Sequence, residues 1–145
     1  MARTRLFARQ RDGRIEVRLN EFGHDFVRVR FADLVAAQEL PEHRWRAFLE
    51  QPIDPARDAD DPLSSLERQK AVATNAELAL LTADEDYLSE GEAWSWLSSL
   101  QHVLRAAAFD QGVVDYVSLH AASPEALEEI HALQQLLFDL SEALN

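Results

Sequence analysis

Cysteine is absent from the 145 residues, glycine occurs four times and methionine once. Without cysteine there is no disulfide framework, thiolate metal site, thiol nucleophile or thiol redox switch. Four isolated glycines cannot build a phosphate-cradling loop, which sets aside the usual nucleotide enzymes. No glycine-flanked serine marks a strand-to-helix nucleophile turn. Long apolar runs are missing too. Charge interrupts the apolar islands every few residues, and none approaches the ~20 residues that cross a bilayer. The opening MARTRLFARQRDGR is basic and leads into no apolar run, so it does not read as a secretory signal. A cytoplasmic chain with no membrane contact and no cofactor is expected.

A hydrophobic fraction of 47% with 28% charged residues is that of a globular protein, which argues against disorder over the whole length. The length suits a single domain, 1–145, with one core. The net charge of −12 is unevenly spread. Residues 1–30 hold eight arginines against four acids, whereas the rest holds six bases and 22 acids. The plainest consequence is a basic head packed against an acidic body.

Residues 4–19 read as a β-hairpin. Leu6 and Ala8 alternate with Arg5, Phe7 and Arg9, and Ile15, Val17 and Leu19 alternate with Arg14, Glu16 and Arg18. Asp12-Gly13 supplies a two-residue turn whose central positions take positive φ. This gives an aliphatic face for the core and an arginine face that includes Phe7. A lone hairpin is marginal, so the aliphatic face must lie on the helical body, 20–145.

Asn20 caps a helix running to about Leu40, with Phe22, Phe26, Val27, Phe31, Leu34 and Val35 as its buried stripe. The alternation Val27-Val29-Phe31 leaves a strand through 26–31 as the rival. Pro41 opens a short helix carrying Trp45, Phe48 and Leu49. Gln51 to Asp61 is a loop, and Asp61-Pro62 starts a helix with Leu63, Leu66, Ala73, Leu78 and Leu81, broken near Thr74-Asn75. Thr82 to Leu88 is an acidic connector. Ser89 and Glu92 form a capping box for a helix over 90–110, which Gln111-Gly112 stops. Residues 113–120 fit a short helix or an extended stretch. Ser123-Pro124 starts the last helix, with Ala126, Ile130, Leu133, Leu137, Leu140 and Leu144 inward. The fold class is mainly α, an irregular bundle of five or six helices behind an N-terminal β-hairpin.

No catalytic residues stand out. Glu128 and His131 form one Glu-x-x-His, whereas a dicarboxylate metal centre in a bundle uses two such pairs plus two further glutamates. His102 has Ser99, not a glutamate, three residues before it. The aspartates at 58, 60 and 61 and the acidic run 84–86 lack the glycine and closing glutamate of a calcium loop. No metal site is expected.

Two surface features remain as interaction candidates. The hairpin arginines Arg5, Arg9, Arg14 and Arg18, with Phe7 among them, could track phosphates, but an acidic chain repels a polyanion. Docking against an acidic protein surface, its own or a partner's, fits better. The second feature is a set of aromatics off the core stripes. Trp94 and Phe109 lie about 100° and 160° from the stripe centre of their helix, and Phe138 is similarly displaced on the last one. Covered core positions and a dimer or partner patch both account for them.

The runs Asp61-Pro62-Leu63, Thr74-Asn75-Ala76-Glu77 and Glu92-Ala93-Trp94-Ser95-Trp96-Leu97, with Leu100 and Leu104, carry a family resemblance. So do Leu133-Gln134-Gln135-Leu136 and the stretch Leu140–Leu144. They resemble a small acidic actinobacterial family, a domain of unknown function often encoded beside the Clp protease adaptor. The resemblance implies no established enzymatic activity, and some members are regarded as transcription-linked regulators of the oxidative-stress response. A thiol switch there would need cysteines, so what carries over is a protein-binding role.

The expectation is a non-enzymatic protein-interaction or regulatory module, transcription- or stress-linked, whose partner is another protein or a second copy in a homodimer. A nucleic-acid-contacting regulator using the hairpin arginines is the alternative. A metal-dependent bundle enzyme using Glu128 and His131 comes last.

Overall fold

The structure is a computed structural model that describes residues 4–49, 62–113 and 115–145. Its elements are β1 (Phe7–Arg9), β2 (Ile15–Val17), α1 (Glu21–Glu39), α2 (Arg46–Leu49), α3 (Pro62–Leu81), β3 (Tyr87–Leu88), α4 (Glu90–Asp110), α5 (Tyr116–Ala121) and α6 (Pro124–Leu144). The chain is mainly α-helical with a small antiparallel sheet at the N-terminal end, as expected. Helix α4 is the hub: α6, α3 and α1 all pack on it, and β1 lies against α6. The expected loop Gln51–Asp61, and the aspartates in it, lie outside the described residues.

The hairpin forms, but its turn is one residue longer than Asp12-Gly13 alone. The Gln10 N–H donates to Arg14 O (2.8 Å) and the Gly13 N–H to Gln10 O (3.1 Å), enclosing a three-residue loop, Arg11–Gly13. Only Gly13 takes a positive φ, +91°; Asp12 does not. This is a turn followed by a left-handed glycine, the usual geometry of a three-residue hairpin loop. The extra residue changes the register to Phe7↔Val17 and Arg9↔Ile15. A one-residue slip turns every side chain of a strand to the other face. Phe7 therefore belongs to the core face with Ile15 and Val17, and is 2% exposed. The expected arginine face with Phe7 on it is corrected accordingly.

A third strand was not expected. β3 adds to β2 with Ile15↔Leu88 and Glu16↔Tyr87, giving the order β1-β2-β3. Two residues at the end of an acidic connector carry no readable period, yet Leu88 is fully buried.

α1 is helical through 26–31, so the rival strand is not formed. The Gly23 N–H donates to the Asn20 side chain (2.8 Å), which caps the helix. A Cβ at Gly23 would stand 2.9 Å from the Leu19 Cβ, so glycine lets the helix start tight against β2's exit. Val27, Phe31, Leu34 and Ala37 are buried, whereas Phe22, expected inside, is 85% exposed. Pro41 opens turns rather than a helix, and α2 begins at Arg46. The intervening chain is held by His43. Its Nδ1 accepts the Trp45 N–H (3.0 Å), so its Nε2 carries the proton toward Asp33 Oδ1 (3.3 Å).

α3 runs unbroken through Thr74-Asn75. Asn75 does not cap; its side chain reaches α4, accepting from the Ser95 hydroxyl (3.0 Å) and donating to that of Ser98 (3.4 Å). Leu63, Leu66 and Leu81, expected inside, face outward, and Ala76 and Ala79 are buried instead. α4 carries the full capping box: the Ser89 N–H donates to Glu92 Oε1 and the Glu92 N–H to Ser89 Oγ. Gly112 ends it at φ +74°. Within the ambiguous stretch, Tyr116 onward is helical as α5, capped by Asp115. Ser123 caps α6, where Leu136 is fully inside and Leu137 only partly.

Trp96 is the core's centre, with no exposed surface. Its ring meets Phe31 and Phe7 edge-on at 5.2 and 6.1 Å, and its indole N–H donates to Thr82 Oγ1 (2.8 Å). The indole thus ties the hairpin, α1 and the end of α3 together with its one polar atom satisfied.

Candidate interaction surfaces

The hairpin arginines are built into the protein. Arg9 donates from Nε to Ala143 O (3.0 Å) and from Nη2 to Leu144 O (3.4 Å), with Glu90 3.8 Å away. Those carbonyls end α6, whose last turn has no basic residue of its own, so Arg9 caps it from another element. Arg5 lies 3.8 Å from Glu142 and 5.8 Å over the Phe138 ring. Arg14 pairs with Asp12 (2.8 Å) and stacks on Tyr87 at 4.5 Å. Arg18 pairs with Glu16. The Arg14 backbone N–H, then its guanidinium, holds the Asp12 carboxyl below its usual value. Arg18, hydrogen-bonded to Glu16, lowers that carboxyl in the same way.

Beyond the hairpin, Arg28 bonds Asp25 on its own helix and Asp84 on the connector. Arg30 joins α1 to α6 through Glu129 at 2.8 Å, both side chains mostly buried. These cross-element pairs were not singled out in the sequence, and no local pattern names their distant partners. The same holds for Asp139, fully buried on α6. Its Oδ2 accepts the Leu6 N–H and its Oδ1 the Gln135 amide, each at 3.0 Å. That carboxylate fastens the entry of β1 to the body.

The three off-stripe aromatics do not form one patch. Trp94 and Phe109 are fifteen residues apart on α4, or about 22 Å of helix. Phe109 packs on Phe48 of α2 at 5.7 Å, and Phe138 lies under Arg5. Trp94 remains about half exposed. Larger exposures occur where the sequence suggested none: Phe22 and Val29 on α1, Leu63, Leu66 and Leu81 on α3, and Tyr116 and Val117 on α5. The signal available for α3 was a rival stripe, Val72, Ala76, Ala79 and Ala83, at the same three-and-four spacing.

An open hollow of about 550 Å³ lies beside the hairpin, lined by Arg14, Asp84, Glu85, Asp86, Tyr87, Ser89 and Glu92. Four carboxylates give it a negative potential suited to a cationic side chain. At its edge the His24 Nδ1 donates to Ala83 O (2.9 Å) while Nε2 stands 3.6 Å from Asp86. Among the described residues no three histidines or carboxylates converge on a metal position, and Glu128 and His131 both face solvent. No protein-family model, characterised protein or solved structure matches this chain.

Proposed function

We propose that this is a non-enzymatic protein-interaction module, working in the cytoplasm as a regulatory component that docks another protein. One observation carries the reading. Phe22 and Val29, seven residues apart on one face of α1, stand outside the core, and between them Phe26 packs partly on the core beneath the Arg30 guanidinium (4.4 Å). Such an outward apolar stripe on a polar body is the form of a docking face. Its flanks are charged by Asp25, Arg28 and Asp33, which suits a polar rim around an apolar centre. The resemblance to a family of unknown function, some of whose members are regarded as transcription-linked regulators of the oxidative-stress response, supports the same class of role. Nucleic-acid contact through the hairpin would first have to break the ion pairs that Arg5, Arg14 and Arg18 make with the protein's own carboxylates.

The test compares the chain with a Phe22→Ser/Val29→Ser variant as baits in native cytosol. The expected outcome is a partner recovered by the first and lost by the second, with unchanged circular dichroism. Equal recovery by both baits and by an unrelated acidic helical protein would discard the reading.

A further inference from the structure

Helix α3 packs Leu80 and small side chains on the core and exposes three leucines, Leu63, Leu66 and Leu81, to solvent. Inward it offers Asn75, Ala76 and Ala79, with Thr82 just past its end; outward lie Leu63, Leu66, Lys70, Thr74, Glu77 and Leu81. At ~100° per residue the outward residues fall in one sector of about 80°. Nothing in the fold requires leucine there, since the contact with α4 is made on the opposite side.

The outward stripe is also self-complementary. Leu63 and Leu81 are equidistant from Val72, and so are Lys70 and Thr74. An antiparallel copy related by a two-fold axis at the level of Val72 would set each Leu81 against the other copy's Leu63, with Leu66 one turn further along. Each Lys70 would then lie beside the other copy's Thr74, within reach of its Glu77. Isologous contacts have this property, residue i meeting j while j meets i. An unrelated partner would need no such palindrome. Lys70 is the only base on the stripe, so charge also fixes the antiparallel sense.

We infer that α3 is a self-association surface through which two copies of this chain pair antiparallel about Val72. The surface is separate from the α1 stripe, and it stands or falls independently of any docked partner. Analytical ultracentrifugation of the full chain at roughly 100 µM should show twice the chain mass, falling on dilution. Leu63→Ser/Leu81→Ser should weaken pairing by at least about tenfold, because these apolar anchors meet each other twice across the axis and a few anchors carry most of an interface's energy. Lys70→Glu should weaken it as well, and Lys70→Glu/Glu77→Lys should restore it, since the swapped pair is equivalent across the axis. These positions face solvent in one copy, so the monomer's circular dichroism should hold in every variant. Phe22→Ser/Val29→Ser should pair as the parent does. A parent that stays monomeric, a dimer indifferent to the leucine changes, or a charge swap without restoration would overturn the inference.

Discussion

Helices α3 and α6 are nearly equal in length and both are rich in leucine, yet α3 leaves three of its leucines outside the core. α6 turns Ile130, Leu133, Leu136, Leu140 and Leu144 into the core, and α3 turns Leu63, Leu66 and Leu81 away from it. The difference lies in what each helix meets on α4. Toward α6, α4 offers an apolar face that large side chains can fill. Toward α3 it offers Ser95, with Ser99 and Ala106 on the same face by helical spacing. Small residues on both sides let the two backbones come close, and Asn75 and Thr82 then find partners in Ser95, Ser98 and Trp96. Burying a leucine on that seam would push the helices apart and strip those hydrogen bonds. Hydrophobicity alone does not choose the inner face; hydrogen bonding and closeness of approach choose it here.

The contrast can be broken in order of expected effect. Leu140→Ala on α6 should destabilise the protein by about 2–5 kcal/mol, because the site is fully enclosed and cannot collapse freely. Urea unfolding measures this, and a loss under about 1 kcal/mol would mean that α6 is not anchored there. Ala79→Leu on α3 should cost about 1–3 kcal/mol by overpacking the seam, although it adds apolar surface. A stabilised variant would contradict the close-approach account. Leu81→Ala, on the outer face of the same helix, should shift monomer stability by no more than about 0.5 kcal/mol.

The smallest effect is local and depends on pH. Ser118, through its N–H and its hydroxyl (2.8 Å each), holds the Asp115 carboxyl below the usual value at the start of α5. A carboxyl lowered in the folded state contributes above its unfolded value, about 3.9, and that contribution is lost as pH falls through the lower folded value. NMR shifts of Tyr116–Ala121 should therefore stay helical at about pH 5 and fray only as pH falls below the unfolded value of about 3.9 and through the lower folded one. Helical shifts that persist unchanged to about pH 2 would remove the cap from the account.

Local signals read well where they depended only on neighbours in sequence. Asn20, Ser89 with Glu92, Gly112 and Ser123-Pro124 mark helix ends because a cap is a contract among residues three or four apart. Thr74-Asn75 carried a similar cap signal and misled, because Asn75 had a better partner on α4. The hairpin was legible as an element, and its register was not. Its turn could close with two residues or three, and that single residue decided whether Phe7 met solvent or Trp96.

The arginine face shows the same division. Its excess of positive charge was plain from composition, as was the acidic body that could receive it. Which carboxylate or carbonyl each arginine took was not: Arg9 reaches α6 across 134 residues of sequence. Arg5 and Arg9 became fasteners between the hairpin and the last helix, Arg14 joined its own turn to Tyr87 of β3, and Arg18 paired beside itself with Glu16. Helix content, the helix ends set by local caps at Asn20, Ser89, Gly112 and Ser123, charge asymmetry and the absence of thiol chemistry follow from the sequence by itself, since each depends on composition or on contacts within one turn. Strand register, the buried Asp139, the fate of each arginine and the outward leucines of α3 were decided only in the tertiary structure. Each of them depends on which distant surface arrives, and a chain's local periodicity does not encode that.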